Sequence, residues 1–254
     1  MKFRALATFV LLASSSCSGA EINDGASVYL LKGQALAGRE RFDEEIAAFN
    51  QALELAPDSP DALKGLWKAY FGKADVAAAV RYSKQACGLG DKESCDWARW
   101  LGLHQPEAIA EVKRGSDLLA KGRGEEALAR FQSAVKIDPT YADAYADAGA
   151  ALSVQQRYDD AVVYLRTAVK LDPQSYNANV NLGSALYHRK NYDEAVSWLQ
   201  KAIGLRSDDG AGFLLLGNAY YYRGDKTNAA IYWSKGCKLS DATSCQNVQK
   251  MDPS

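Results

Sequence analysis

The sequence predicts an all-α fold, an α-solenoid of about six helix hairpins with capping helices. Three observations predict it. Pro is limited to six residues in 254, and few segments show the apolar–polar alternation of a half-buried strand. The tail Val135-Lys136-Ile137-Asp138-Pro139 recurs as Val169-Lys170-Leu171-Asp172-Pro173, 34 residues on, and Leu53-Glu54-Leu55-Ala56-Pro57 has the same form. Small residues keep that register: Gly33, Gly115, Gly149, Gly183 and Gly217 in one column, and Ala79, Ala127, Ala161, Ala195 and Ala229 in a second. Ala52, Ala86, Ala134, Ala168, Ala202 and Gly236 form a third. Small side chains let paired helices approach closely. Bulky columns fill the space around them: Leu36, Tyr70, Leu118, Leu152, Leu186 and Tyr220, then Phe49, Phe131, Leu165, Leu199 and Trp233.

The first element is not a repeat. Lys2 and Arg4 precede an apolar run from Ala5 to Ala13, and Ser18-Gly19-Ala20 offers a small-x-small cleavage site before Glu21. The run is too short to span a bilayer. Residues 1–20 therefore read as a secretory signal peptide, and the mature chain is expected in the periplasm or secreted. Cys17 offers an alternative, a lipidated and membrane-anchored N-terminus, although Ser14 stands where such signals carry Leu. Elsewhere no stretch is long and apolar enough for a transmembrane helix.

Six repeats begin at Ala26, Pro60, Ala108, Ala142, Tyr176 and Gly210. They divide into a block over 21–105, two repeats and a cap helix near Ser94 to His104, and an array over 106–254. The array has four repeats and a cap helix near Thr243 to Lys250, with Pro106 as punctuation between the blocks. The period and its columns resemble the tetratricopeptide-repeat family, from about Ala26 onward. The resemblance implies antiparallel helix pairs stacked into a right-handed superhelix. A concave groove, lined by one face of each first helix, would hold a protein or peptide. No single pair buries its apolar face alone, so neighbours share the core. Three residues depart from the pattern. Trp67 occupies the glycine column of repeat two, Glu45 the alanine column of repeat one, and Ser207 the terminal proline of repeat five. Trp67 predicts a second repeat that is distorted or shifted toward the related Sel1-like pattern.

Cys87 and Cys95 lie eight residues apart, as do Cys237 and Cys245, and both pairs hold one register. The first thiol is residue 28 of its repeat and the second falls two residues into the following helix. Each pair brackets a helix corner, within disulfide reach for adjacent antiparallel helices. Export supplies an environment in which bridges persist. The pairings Cys87–Cys95 and Cys237–Cys245 follow, and the same spacing is familiar in secreted Sel1-like proteins. His104 and His188 are the only histidines and neither adjoins a cysteine pair in sequence, so no metal site is expected.

In the groove implied by the family, the second repeat presents Lys64, Lys68 and Phe71, and the third Val112, Ser116 and Leu119. The fourth presents Ala146, Ala150 and Ser153, a small and neutral floor. Asn177, Val180, Ser184, Tyr187 and His188 follow, then Leu214, Asn218, Tyr221 and Tyr222. Tyrosine gives broad contact area at low entropic cost and amides bond a peptide backbone. Tyr187, Tyr221 and Tyr222 are the expected anchors, with Asn177 and Asn218 on the backbone. Lys64 and Lys68 match only part of a carboxylate clamp.

With a formal net charge of −1, there is no basic excess to neutralise nucleic acid. No Gly-x-Ser-x-Gly elbow or phosphate-binding Gly-rich loop is present. The expectation is a non-catalytic adaptor of the cell envelope that uses no cofactor. Behind an export signal, six repeats also resemble pilotin-type lipoproteins, which help assemble type IV pilus secretins. A glycan-binding accessory subunit of a cell-wall enzyme and a secreted effector are further alternatives.

Overall fold

The computed structural model describes residues 20–251, with side chains from residue 25. The signal segment up to residue 19 and Cys17 lie outside the described residues. The described chain contains fourteen α-helices and no strand. The helices are α1 (Ala20–Leu36), α2 (Phe42–Leu55), α3 (Pro60–Gly72), α4 (Val76–Gly88), α5 (Lys92–Leu101), α6 (Pro106–Ala120) and α7 (Gly124–Ile137). They continue as α8 (Ala142–Val154), α9 (Tyr158–Leu171), α10 (Tyr176–His188), α11 (Tyr192–Leu205), α12 (Gly210–Arg223), α13 (Lys226–Lys238) and α14 (Ala242–Met251). They form two compact units that divide between Trp100 and Leu101, at the end of α5.

Within the N-terminal unit, α1 pairs with α2 and α3 with α4. Within the C-terminal unit the hairpins are α6–α7, α8–α9, α10–α11 and α12–α13, and α14 packs against α13. Each unit is a stack of antiparallel hairpins. Local chemistry sets the helix starts. Ser59 and Ser175 accept from the N–H three residues on, at Ala62 and Ala178, while Asp75 and Asp225 cap α4 and α13. Acidic residues occupy the first turns of α2, α7, α9 and α11, where they oppose the helix dipole. Every hairpin turn contains a left-handed residue: Glu40, Ala74, Gly122, Gln156, Lys190 and Gly224. Four of the six are not glycine, which costs about 1 kcal/mol each and is sustained by the packing on either side. The fifth repeat ends normally despite Ser207, since α11 closes at Leu205 and Asp209 caps α12.

The columns are the helix contacts. The alanines at 79, 127, 161, 195 and 229 are fully buried. A Cβ placed on Gly149 would lie 2.5 Å from Leu165 Cγ, and one on Gly183 2.6 Å from Leu199 Cγ. Glycine on the first helix thus accommodates the bulky residue of the second.

The second repeat is not distorted. Trp67 is 2% exposed in the glycine column, and the facing bulky position is Ser83, 0% exposed. The large and small residues have exchanged helices, so α3 and α4 pair like the other hairpins.

Both predicted disulfides are present. Cα–Cα distances are 4.5 Å for Cys87–Cys95 and 4.6 Å for Cys237–Cys245. The register needs a correction: each second cysteine is the fourth residue of its cap helix, because α5 starts at Lys92 and α14 at Ala242. Asp91 and Asp241 set those starts by accepting from the N–H groups of Ser94 and Ser244.

Candidate functional site

The candidate site is one face of α8, α10 and α12 in the C-terminal unit. At the N-terminal end of α8 and α10 lies a cleft of about 320 Å³. Val112, Tyr141, Asp143, Ala146, Asp147, Asn177, Val180 and Asn181 line it. The floor over the fourth repeat was expected to be small and neutral, and that expectation fails. Asp143 and Asp147, one helical turn apart, share a face with Ala146 and Ala150 and enter the cleft. Asn177 and Asn181 repeat the same spacing on α10.

The electrostatics follow from this crowding. Burial pushes Asp147 up to about 7, and the Asp143 carboxylate adds to the shift. Burial also raises Asp143, reinforced by Asp172 and opposed by His104. At neutral pH Asp147 therefore divides between a protonated donor and an ionised acceptor. The Tyr141 phenol is raised by burial and by Asp143, Asp147 and Asp138, and stays protonated.

The wall beside Tyr141 is braced. His104 stacks on the Tyr141 ring at 4.3 Å, and its Nδ1 lies 2.9 Å from Asp138 Oδ2. Asp138 Oδ1 accepts from the N–H of Thr140 at 2.9 Å and from its hydroxyl at 2.6 Å. Burial opposes ionisation of Asp138, yet the bonds from Thr140, His104 and Gln105 hold its pKa low.

The other end of the face is aromatic. Tyr187 contacts the rings of His188 (5.1 Å), Tyr192 (5.8 Å) and Tyr222 (5.7 Å). Burial and the neighbouring tyrosines push its phenol up to about 12. Tyr222 is 58% exposed and Tyr221 39% exposed. Tyr221 lies against Trp233 at 5.4 Å, and His188 stacks on Tyr158 at 4.8 Å.

The sequence-predicted residues are thus distributed unevenly. Asn177, Ser184, Tyr187 and His188 lie along α10, with Asn177 in the cleft and Tyr187 among the tyrosines. Tyr222 joins that cluster from α12. Asn218 is engaged inside its own hairpin, its Oδ1 accepting from Trp233 Nε1 at 3.0 Å. Tyr141, Asp143, Asp147 and Asn181 were missed. The signal for the two aspartates was their four-residue spacing on the face already assigned through Ala146 and Ala150.

Comparison with known proteins agrees with this architecture. The family model described as tetratricopeptide repeat matches residues 18–60 and 147–211, and the one described as TPR repeat matches 115–153. The chain belongs to the tetratricopeptide-repeat family. No curated protein sequence matches it. Among solved structures, that of pilF from Pseudomonas aeruginosa is similar, with a TM-score of 0.54 at 17% identity. The match covers 91% of this chain and 100% of that one. The APC/C hetero-tetramer Cut9-Hcn1 gives a TM-score of 0.57 at 14% identity. That match covers 91% of this chain and only 45% of the other. At such identities the likeness is one of fold.

Proposed function

We propose that the chain is a non-catalytic adaptor that holds an extended segment of a partner protein along the face of α8, α10 and α12. The observation that carries this reading is the continuity of α10. Asn177 lies in the Asp143–Asp147 cleft at its start, and Tyr187 joins Tyr192 and Tyr222 at its end. Carboxylate and amide oxygens at one end accept backbone N–H groups. Tyrosine rings at the other give apolar contact with a polar tip. Asn218 is not needed as a backbone ligand, since Trp233 holds it. The test is capture of partners by the full chain and by the variant Tyr187→Ala with Tyr222→Ala. Loss of the bound set is expected; an unchanged set would remove the site.

The setting is part of the proposal. Lys2, Arg4, the apolar run and Ser18-Gly19-Ala20 support export, and two cystine corners suit an oxidising compartment. Soluble release before Glu21 is the favoured form. The alternative is a pilotin-like lipoprotein acylated at Cys17; the likeness to the pilF structure is one of fold and fits either form. Intact mass of the native protein distinguishes the two forms. A mass for the chain from Glu21 supports release, and a lipid on Cys17 supports the anchored form.

A further inference from the structure

Glu45 stands on α2 where five other repeats carry a fully buried alanine. It is 4% exposed. Its acidic neighbours in the first turn have cations: Arg41 for Glu44, and Lys73 for Asp43, each at 2.5 Å. The Glu45 carboxyl group has no hydrogen-bond or ion-pair partner among the described residues. Burial alone raises its pKa. A carboxyl group so placed gives nothing to helix packing, and it is disfavoured until a donor or cation reaches it.

Glu45 lines a pocket of about 480 Å³ between α1, α2 and α3. Phe42, Phe49, Ala37 and Gly65 supply apolar wall, while Lys64 and Lys68 also line it. Those lysines are engaged elsewhere. Lys68 Nζ lies 2.7 Å from Glu93 Oε1, and Lys64 pairs with Glu93 and with Asp91. Counting Asp61, this set holds four carboxylates against two ammonium groups, so the pocket favours a cation. A single carboxylate among aromatic walls is a poor donor set for a metal ion, which takes several oxygen ligands. It suits a cation on an apolar stem, with the stem against Phe42 and Phe49 and the charge at Glu45.

We propose that this pocket takes a lysine or arginine side chain of a partner polypeptide, with Glu45 as its counter-ion. The polypeptide carrier rests on the reading of the chain as a peptide-binding array; the pocket itself does not depend on the tyrosine face. The experiment is an NMR titration of the full chain with Nα-acetyl-lysine methylamide, Nα-acetyl-norleucine methylamide and n-butylamine, following Phe42, Phe49 and Glu45. The lysine probe is expected to bind at least tenfold more tightly than the norleucine probe. Glu45→Gln and Glu45→Ala should abolish that preference. Glu45→Ala restores the residue of the column, so its fold should persist, with an unchanged or higher melting temperature. Equal binding of the two amides, or a preference that survives Glu45→Gln, overturns the site. Tighter binding of n-butylamine than of the lysine probe overturns the polypeptide carrier in favour of a free amine. These readouts can fail while the tyrosine variants still lose their partner, and the reverse, so the two readings fall separately.

Discussion

In the N-terminal unit the hairpin before the cystine corner carries its tryptophan on the first helix; in the C-terminal unit it carries it on the second. The two corners otherwise share one register, each residue having its counterpart 150 positions on. Trp67 corresponds to Gly217, Ser83 to Trp233, Asp91 to Asp241 and Ser94 to Ser244. All four partners of the exchanged pair are buried. The fold specifies the combined volume across the helix pair, and either helix can supply the large residue. The exchange also redirects a hydrogen bond. Trp67 Nε1 donates to Ser94 Oγ at 2.9 Å, whereas Trp233 Nε1 donates to Asn218. Ser244 Oγ is left without a partner among the described residues.

The largest test of this comparison is to move the tryptophan. Trp233→Ser alone removes a buried indole and should cost about 3–5 kcal/mol. Gly217→Trp alone drives a ring into Trp233 and should be at least as damaging, since even a Cβ at Gly217 meets that ring. The double variant recreates the arrangement of the N-terminal unit and should recover most of both losses. Urea midpoints of the C-terminal unit, read by hydrogen exchange, measure the coupling. Additive losses would break the volume argument.

The cystines come next. Both close loops of the same sequence separation, eight residues. Chain entropy therefore gives each bridge about 2.5 kcal/mol. Replacing Cys87 and Cys95 by Ser should lower the midpoint of the N-terminal unit, and replacing Cys237 and Cys245 should lower that of the C-terminal unit equally. Hydrogen exchange separates the two. A clearly smaller loss in one unit would show that its corner is held by the surrounding packing. The aromatic cap at Trp97 and Trp100, whose counterparts are Asn247 and Lys250, makes the N-terminal corner the one to watch.

Much of this was legible in the sequence because repetition averages out local ambiguity. Hairpin register, both cystines and the small columns were all readable at one period. What escaped depends on pairs rather than columns. Trp67 read as a distortion because Ser83, its compensating partner, sits in a different column. Glu45 read as a departure, and its pocket needs three helices to assemble. Asp143 and Asp147 were passed over because Ala146 and Ala150 on the same face suggested a neutral floor. Asn218 had the right face, yet its amide is engaged by an indole that no spacing rule links to it.

The smallest effect is the most discriminating. Ser94→Ala removes the acceptor of a buried indole N–H and should cost about 1–2 kcal/mol. Ser244→Ala removes a hydroxyl that has no partner among the described residues, so stability should hold or rise by up to ~1 kcal/mol. The contrast should then reverse on the exchanged background. Once Gly217→Trp and Trp233→Ser place an indole on the first helix, Ser244 becomes its acceptor, as Ser94 is for Trp67. Ser244→Ala on that background should therefore destabilise the C-terminal unit by about the amount that Ser94→Ala costs the N-terminal one. If it stays neutral there, the hydroxyl is not the element that receives the tryptophan. The shared register would then be one of backbone alone.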